Sequence, residues 1–321
     1  MRRLGLVLIA VLLVVAGAAW TAYAQLGEAT IEEDTAFIIP SGSSVAAVAE
    51  KLEAEGLISS ADGFLLRARL FGSDEPIQAG EFRLTADMGQ GDILAAFQSG
   101  DVIRRFVTIP EGMPSIMVWE RLMAEDLLTG EIDVPPEGSI LPDTYSFERG
   151  QPRADLVERM QGAMDRYLAE AWAQRDEDIA VETMREALIL ASIVEKETGK
   201  PSERRMVAGL YSNRVKTGML LQADPTIIYP ITQGKPLGRR IRQSEIAAVN
   251  GYNTYTRVGL PEGPITNPGR ESIAAVLDPA ETSALFMVAD GTGGHVFADT
   301  LEEHNANVAE WYALRRERGE M

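Results

Sequence analysis

The 321-residue chain has no cysteine and only two histidines, His295 and His304. Disulfides and thiol chemistry are therefore excluded, and a chain of this size needs no covalent staples in an oxidising compartment. The histidines have no cysteine partners and stand too few to build a histidine-based metal site, so neither metal nor cofactor is expected. Positive charge is also scarce, with 30 Lys and Arg against 48 Asp and Glu and a formal charge of −18 at pH 7. Nucleic acid is bound through basic patches, so it is excluded as a partner. A polyanionic polymer would have to be held in a shaped polar groove, because bulk attraction is absent.

What is present is apolar material in quantity: 45% of the residues are hydrophobic, enough for two ordinary domains with real cores. It is unevenly spread. Residues 4–24 carry no charge and follow Met1-Arg2-Arg3. At about 1.5 Å per residue, a helix of about 20 residues crosses a hydrocarbon core of roughly 30 Å. Arg2 and Arg3 keep this end cytoplasmic, and Trp20 and Tyr23 suit the far interface. Residues 1–25 thus read as a retained, single-pass inner-membrane anchor with the bulk of the chain in the periplasm. The competing reading is a signal peptide cleaved after Ala22-Tyr23-Ala24; both send everything beyond Gln25 across the membrane.

After an acidic linker, a unit recurs at a spacing of seventy residues. Phe37-Ile38-Ile39-Pro40-Ser41-Gly42 leads into an apolar stretch ending at Gly56-Leu57, and Val107-Thr108-Ile109-Pro110-Glu111-Gly112 leads into one ending at Asp126-Leu127. Each copy predicts a strand, a Pro-x-Gly turn and a helix opened by a serine, Ser44 and Ser115. Further helices are predicted over 62–70 and 92–97, with strands around 80–84 and 102–108. The pattern is a small α+β module over 34–104, ahead of a larger α+β domain over 105–321. In the latter a helix is predicted over 154–174, and Gly291-Thr292-Gly293-Gly294 reads as a hairpin turn after the strand 285–289. A polar helix over 301–316 closes the chain.

The segment Ala191-Ser192-Ile193-Val194-Glu195-Lys196-Glu197-Thr198-Gly199 ends an apolar helix on two carboxylates before a stop at Gly199 and Pro201. Residues two apart lie about 200° apart on a helix. Glu197 therefore continues the stripe of Leu190, Ile193 and Val194, and Glu195 follows Leu188, Ala191 and Ser192. A carboxyl on a core-facing stripe at a helix C-terminus has its pKa raised, which suits a general acid. Two solvated glutamates beside Lys196 and Lys200 fit the same pattern. Residues 221–229 and 251–256 set amides, hydroxyls and rings beside turn residues, a lining that suits sugars. They supply the binding candidates Gln222, Asp224, Thr226, Asn253 and Tyr255. Asx-turns and strand tyrosines are the structural alternative.

Six segments in order give these residues a context. They are Glu137-Gly138 with Leu141-Pro142-Asp143-Thr144-Tyr145; Ala191 to Thr198; Leu221-Gln222-Ala223-Asp224-Pro225-Thr226; Tyr252-Asn253-Thr254-Tyr255 with Gly259-Leu260-Pro261; Ile265-Thr266-Asn267-Pro268-Gly269; and Val288-Ala289-Asp290-Gly291 with Gly293-Gly294-His295. The chain resembles the MltG, or YceG-like, endolytic murein transglycosylases. The resemblance implies an inner-membrane anchor, a LysM-like module and a catalytic domain that cuts peptidoglycan glycan strands internally, terminating nascent glycan elongation beside peptidoglycan synthases. It singles out Glu197 as the catalytic residue. One departure is Glu137-Gly138-Ser139-Ile140-Leu141, where the family more often has aromatics between the glycine and the Pro-Asp. The implied product is a 1,6-anhydro-MurNAc end. A muramidase-type hydrolase using Asp224 as second carboxylate is the alternative within enzymes, and a non-catalytic wall-binding scaffold is the alternative outside them.

Overall fold

The computed structural model describes residues 28–320, together with residues 12, 13, 15 and 17. The expected anchor over 1–25 thus lies almost wholly outside the described residues. Among those described, no helix is long and apolar enough to cross a membrane. The fold is α+β, in two compact units that divide between Arg105 and Phe106.

In the first unit, β1 (Thr35–Ile39) pairs antiparallel with β2 (Gly80–Leu84), with Phe37 opposite Phe82. Helices α1 (Val45–Ala54), α2 (Ala61–Phe71) and α3 (Gln90–Ser99) complete it. Ser44 and Ser60 cap α1 and α2, each accepting a backbone N–H of the first turn. Phe37, Phe64, Phe82 and Phe97 are fully buried. The Phe97 ring stacks on Phe37 at 5.6 Å and meets Phe82 edge-on at 4.8 Å, arrangements that add to simple area burial. The strand expected over 102–108 is shorter: β3 spans Arg105–Thr108, and Val102 makes only an isolated bridge to Phe82.

In the second unit β3 pairs with β4 (Thr144–Phe147), and α4 (Ser115–Met123) follows the repeated Pro-x-Gly turn. Gly42 and Gly112 both hold the left-handed conformation in that turn, with φ of 80° and 70°, which explains the glycine in each copy. The expected serine cap of the second copy is not there. Pro114 occupies the N-cap position, and Ser115 is the first helical residue. Its N–H donates to Glu137 Oε1 at 2.8 Å and its hydroxyl to Pro136 O, so the loop before β4 supplies the cap.

The rest is helical around one buried rod. Helix α5 (Arg153–Ala173) buries the stripe Leu156, Met160, Met164 and Leu168. Helix α6 (Met184–Glu197) opens three residues earlier than its apolar run suggests. Thr183 and Glu186 form a reciprocal capping box there, which extends the helix into polar sequence. Against α6 pack α5, α7 (Arg204–Lys216), α8 (Asp224–Thr232) and α10 (Arg270–Leu277), with the short α9 (Gln243–Ile246) between the last two in sequence. Leu190, Ala191, Ile193 and Val194 of α6 have no exposure. The hairpin of β5 (Phe286–Ala289) and β6 (His295–Ala298) turns through Gly291 to Gly294 as expected, and α11 (Leu301–Glu317) packs on it.

Candidate active site

The last residue of α6 is Glu197; Thr198 leaves the helix in an extended conformation and is buried. That exit places the Glu197 side chain at a cavity of about 360 Å³ that Tyr211, Arg214, Gln222, Asp224 and Tyr255 also line. Four of the six candidates from sequence therefore come together: Glu197, Gln222, Asp224 and Tyr255. Burial, and then the charge of Asp224, raise the Glu197 pKa to about 7; the Tyr211 hydroxyl and the Arg214 guanidinium pull the other way. Glu197 Oε1 is buried and has no hydrogen-bond partner among the described residues. An ionised carboxylate with an unpartnered buried oxygen is costly, whereas a protonated carboxyl facing an incoming acceptor is not.

Asp224 opens α8 with Pro225 behind it, where the helix N-terminus favours a carboxylate. Its Oδ1 accepts the Tyr255 hydroxyl at 2.6 Å. Gln222 reaches the cavity from a left-handed backbone, φ 51°, which non-glycine residues adopt rarely and mostly where a site demands it.

Thr226 and Asn253 do not join them, and as substrate contacts they are corrected. Both have no exposure. The Thr226 hydroxyl donates to Ala223 O at 2.6 Å and meets the Thr254 hydroxyl at 2.8 Å. Asn253 Nδ2 serves the carbonyls of Ile246 and Ala248, and its Oδ1 accepts Tyr255 N–H at 3.0 Å. With their polar atoms engaged by backbone groups and by the Thr254 hydroxyl, these residues brace Asp224 and Tyr255 and leave nothing for a ligand.

Glu195 does point elsewhere than Glu197, yet it is not solvated. Its side chain is 6% exposed. Oε2 accepts Gly269 N–H at 3.0 Å and the Ser272 hydroxyl at 2.6 Å, so this carboxylate caps α10. The sequence reading passed over Tyr211 and Arg214. They stand three apart on α7, on one face, and a buried tyrosine with a buried arginine on an otherwise packed helix is the signal that could have found them. Arg214 donates to the carbonyls of Leu285 and Leu221, which fixes the guanidinium at the cavity wall. The departure at Ile140 and Leu141 is a matter of packing: both are buried in the core. Among the described residues no group of three His, Asp or Glu could hold a metal ion.

The YceG-like family matches residues 37–310, most of the chain and every element of this site. The chain belongs to the YceG-like family. It is 30% identical over 322 residues to a protein of Streptococcus pneumoniae named endolytic murein transglycosylase, covering 85% of this chain. A Bacillus subtilis protein of the same name is 27% identical over 87% of the chain and 85% of its own length. The chain spans 57% of the length of the pneumococcal relatives it matches. A crystal structure of a yceG-like protein from Listeria monocytogenes superposes with a TM-score of 0.54 at 26% identity, over 86% of this chain and 99% of that one.

Proposed function

We propose that the chain is an endolytic lytic transglycosylase that cleaves the MurNAc-β-1,4-GlcNAc bond within peptidoglycan strands, with Glu197 as its one acid and base. The observation that carries this reading is the buried, unpartnered Oε1 of Glu197 in a cavity that also holds a fixed carboxylate, Asp224. A carboxyl with a pKa of about 7 keeps its proton near neutrality and can still give it up. Glu197 protonates the glycosidic oxygen as the MurNAc C1–O bond breaks. Asp224, oriented by Tyr255, steadies the oxocarbenium-like charge on the ring. The Glu197 carboxylate then takes the proton of the same MurNAc's C6 hydroxyl, whose oxygen bonds to C1. No water is consumed, and the intramolecular nucleophile needs no second catalytic carboxylate.

A second reading has its own support, because Asp224 stands in the same cavity as Glu197. If it activates a water, the protein is a muramidase. Digestion of purified glycan strands followed by mass spectrometry separates the two. Anhydro-MurNAc ends, lighter by one water, support the transglycosylase; reducing MurNAc ends overturn it. Strand binding without cleavage leaves a wall-binding scaffold.

The surrounding architecture belongs to the same proposal. Residues 4–24 hold the chain to the inner membrane with its bulk in the periplasm, residues 34–104 form a LysM-like glycan-binding module, and 105–321 form the catalytic domain, which works beside peptidoglycan synthases to end nascent strands. The charge-free N-terminal run after two arginines supports the anchor. A mature N-terminus at Gln25 in the isolated protein would overturn it.

A further inference from the structure

A second hollow of about 500 Å³ lies beside the Glu197 cavity, and Lys196, Pro225 and Ile228 belong to the linings of both. Its character differs from that of its neighbour. Proline, methionine, leucine and isoleucine side chains, among them Met113, Pro114, Met117 and Leu237, make most of its surface, and among the described residues no aromatic ring lines it. Sugars stack on rings and bond to planar polar groups, so this is a poor seat for a further glycan unit. Small aliphatic groups suit it.

The charges at its rim are selective. Glu111 is held by Arg204 at 2.9 Å, and Lys235 is paired with Glu120. Lys196 has only a long hydrogen bond, Nζ to Gly112 O at 3.4 Å, and no carboxylate holds it among the described residues. In a chain of net charge −18, the unmatched charge at this spot is positive.

We infer that this hollow seats the peptide stem of the muramyl unit being cut, with Lys196 binding a stem carboxylate and the apolar wall receiving the lactyl and alanyl methyl groups. The inference rests on the transglycosylase reading, which brings a muramyl ring to Glu197. The stem leaves C3 of the same ring whose C1 reacts, so it must enter whatever space adjoins the catalytic cavity. A short peptide of alanines and acidic residues has the methyl groups and carboxylates that this wall and this lysine complement. The consequence is specificity: strands that carry stems are preferred over denuded ones.

Two measurements on the full chain test this. First, the free pentapeptide stem, in its lysine and its diaminopimelate forms, is titrated by NMR against the wild type, Leu237→Glu and Lys196→Met. Binding by the wild type that both variants weaken about tenfold supports the site: Lys196→Met removes one charge-assisted contact, and Leu237→Glu sets a like charge and a polar group against the stem's carboxylates and methyl groups. No binding, or binding that neither variant changes, overturns it. Second, kcat/KM is compared on stem-bearing strands and on the same strands denuded by an amidase. The expected result is a preference of about tenfold or more for stems, lost in Leu237→Glu, whose rate on denuded strands stays that of the wild type and so reports correct folding. Equal rates on both strands overturn the inference. If the wild type cuts neither strand, the transglycosylase reading fails and the peptide titration alone decides the site.

Discussion

The Tyr255 hydroxyl donates to Asp224 Oδ1 at 2.6 Å, tying the loop after α9 to the first residue of α8. Asp224 in turn is the second cause, after burial, of the high Glu197 pKa. The pair therefore sets the pH at which the acid works. Replacing Asp224 by Asn removes the charge, and the Glu197 pKa falls. The alkaline limb of the kcat profile should move to lower pH, with a larger loss at pH 7.5 than at pH 5.5. Loss of the charge that steadies the oxocarbenium-like ring lowers activity at every pH as well. The shifted limb is what the coupling to Glu197 adds, and the ends formed by the residual activity, anhydro or reducing, distinguish transglycosylase from muramidase.

Glu197→Gln keeps size and polarity but cannot supply a proton. Cleavage should fall by the roughly 10²–10⁴-fold typical of lost general acid–base catalysis. Stability should move the other way. The folded protein holds the Glu197 proton up to about pH 7, whereas an unfolded chain releases it near 4.5. Between those values the native state binds more protons, so wild-type stability declines as pH rises through that window. The amide has no such dependence. The variant should match the wild type at pH 4 and exceed it at pH 8 by on the order of 3 kcal/mol. Urea titrations at the two pH values would contradict this if the difference were constant.

Much of this was legible in the chain. The apolar run before Glu197 exposed the buried rod, the turn residues marked the β5–β6 hairpin, and helical periodicity separated Glu197 from Glu195. Three things were not. Whether Glu195 was solvated depended on Gly269 and Ser272, more than seventy residues away. Asn253 and Thr226 have the composition of sugar ligands, but local pattern cannot tell a side chain bonded to its own loop from one offered to a ligand. Pro114 could take the N-cap from Ser115 because Glu137, in a later loop, accepts the Ser115 N–H. The Glu195 and Ser115 misses are long-range hydrogen bonds, which sequence periodicity does not encode; the Asn253 miss is a local one that composition does not distinguish from a ligand contact.

Glu195 yields a stability prediction of its own. Its carboxylate satisfies Gly269 N–H and the Ser272 hydroxyl at the start of α10, which buries Ile273, Val276 and Leu277. Glu195→Ala leaves two donors without a partner and should cost about 2 to 4 kcal/mol in urea titration. Glu195→Gln can still accept through its amide oxygen and should cost less. In both, cleavage per folded molecule should stay close to wild type. A fall comparable to that of Glu197→Gln would mean the proton comes from Glu195.

The last prediction separates bracing residues from contacting ones. Asn253 holds three loop carbonyls and the Tyr255 N–H, so Asn253→Ala frees the loop that orients Asp224. Buried polar groups left unpaired cost roughly 1–3 kcal/mol each, and the melting temperature should fall accordingly. Thr226→Val removes the hydroxyl that Ala223 O and Thr254 share and should act the same way. Gln222→Asn is the contrast. Asparagine tolerates the left-handed backbone at this position, so the fold is kept while the amide is withdrawn from the cavity. Its melting temperature should be unchanged and its KM for glycan strands raised. If Asn253→Ala raised KM without lowering the melting temperature, Asn253 would be a substrate contact after all, and the assignment made from its buried hydrogen bonds would be wrong.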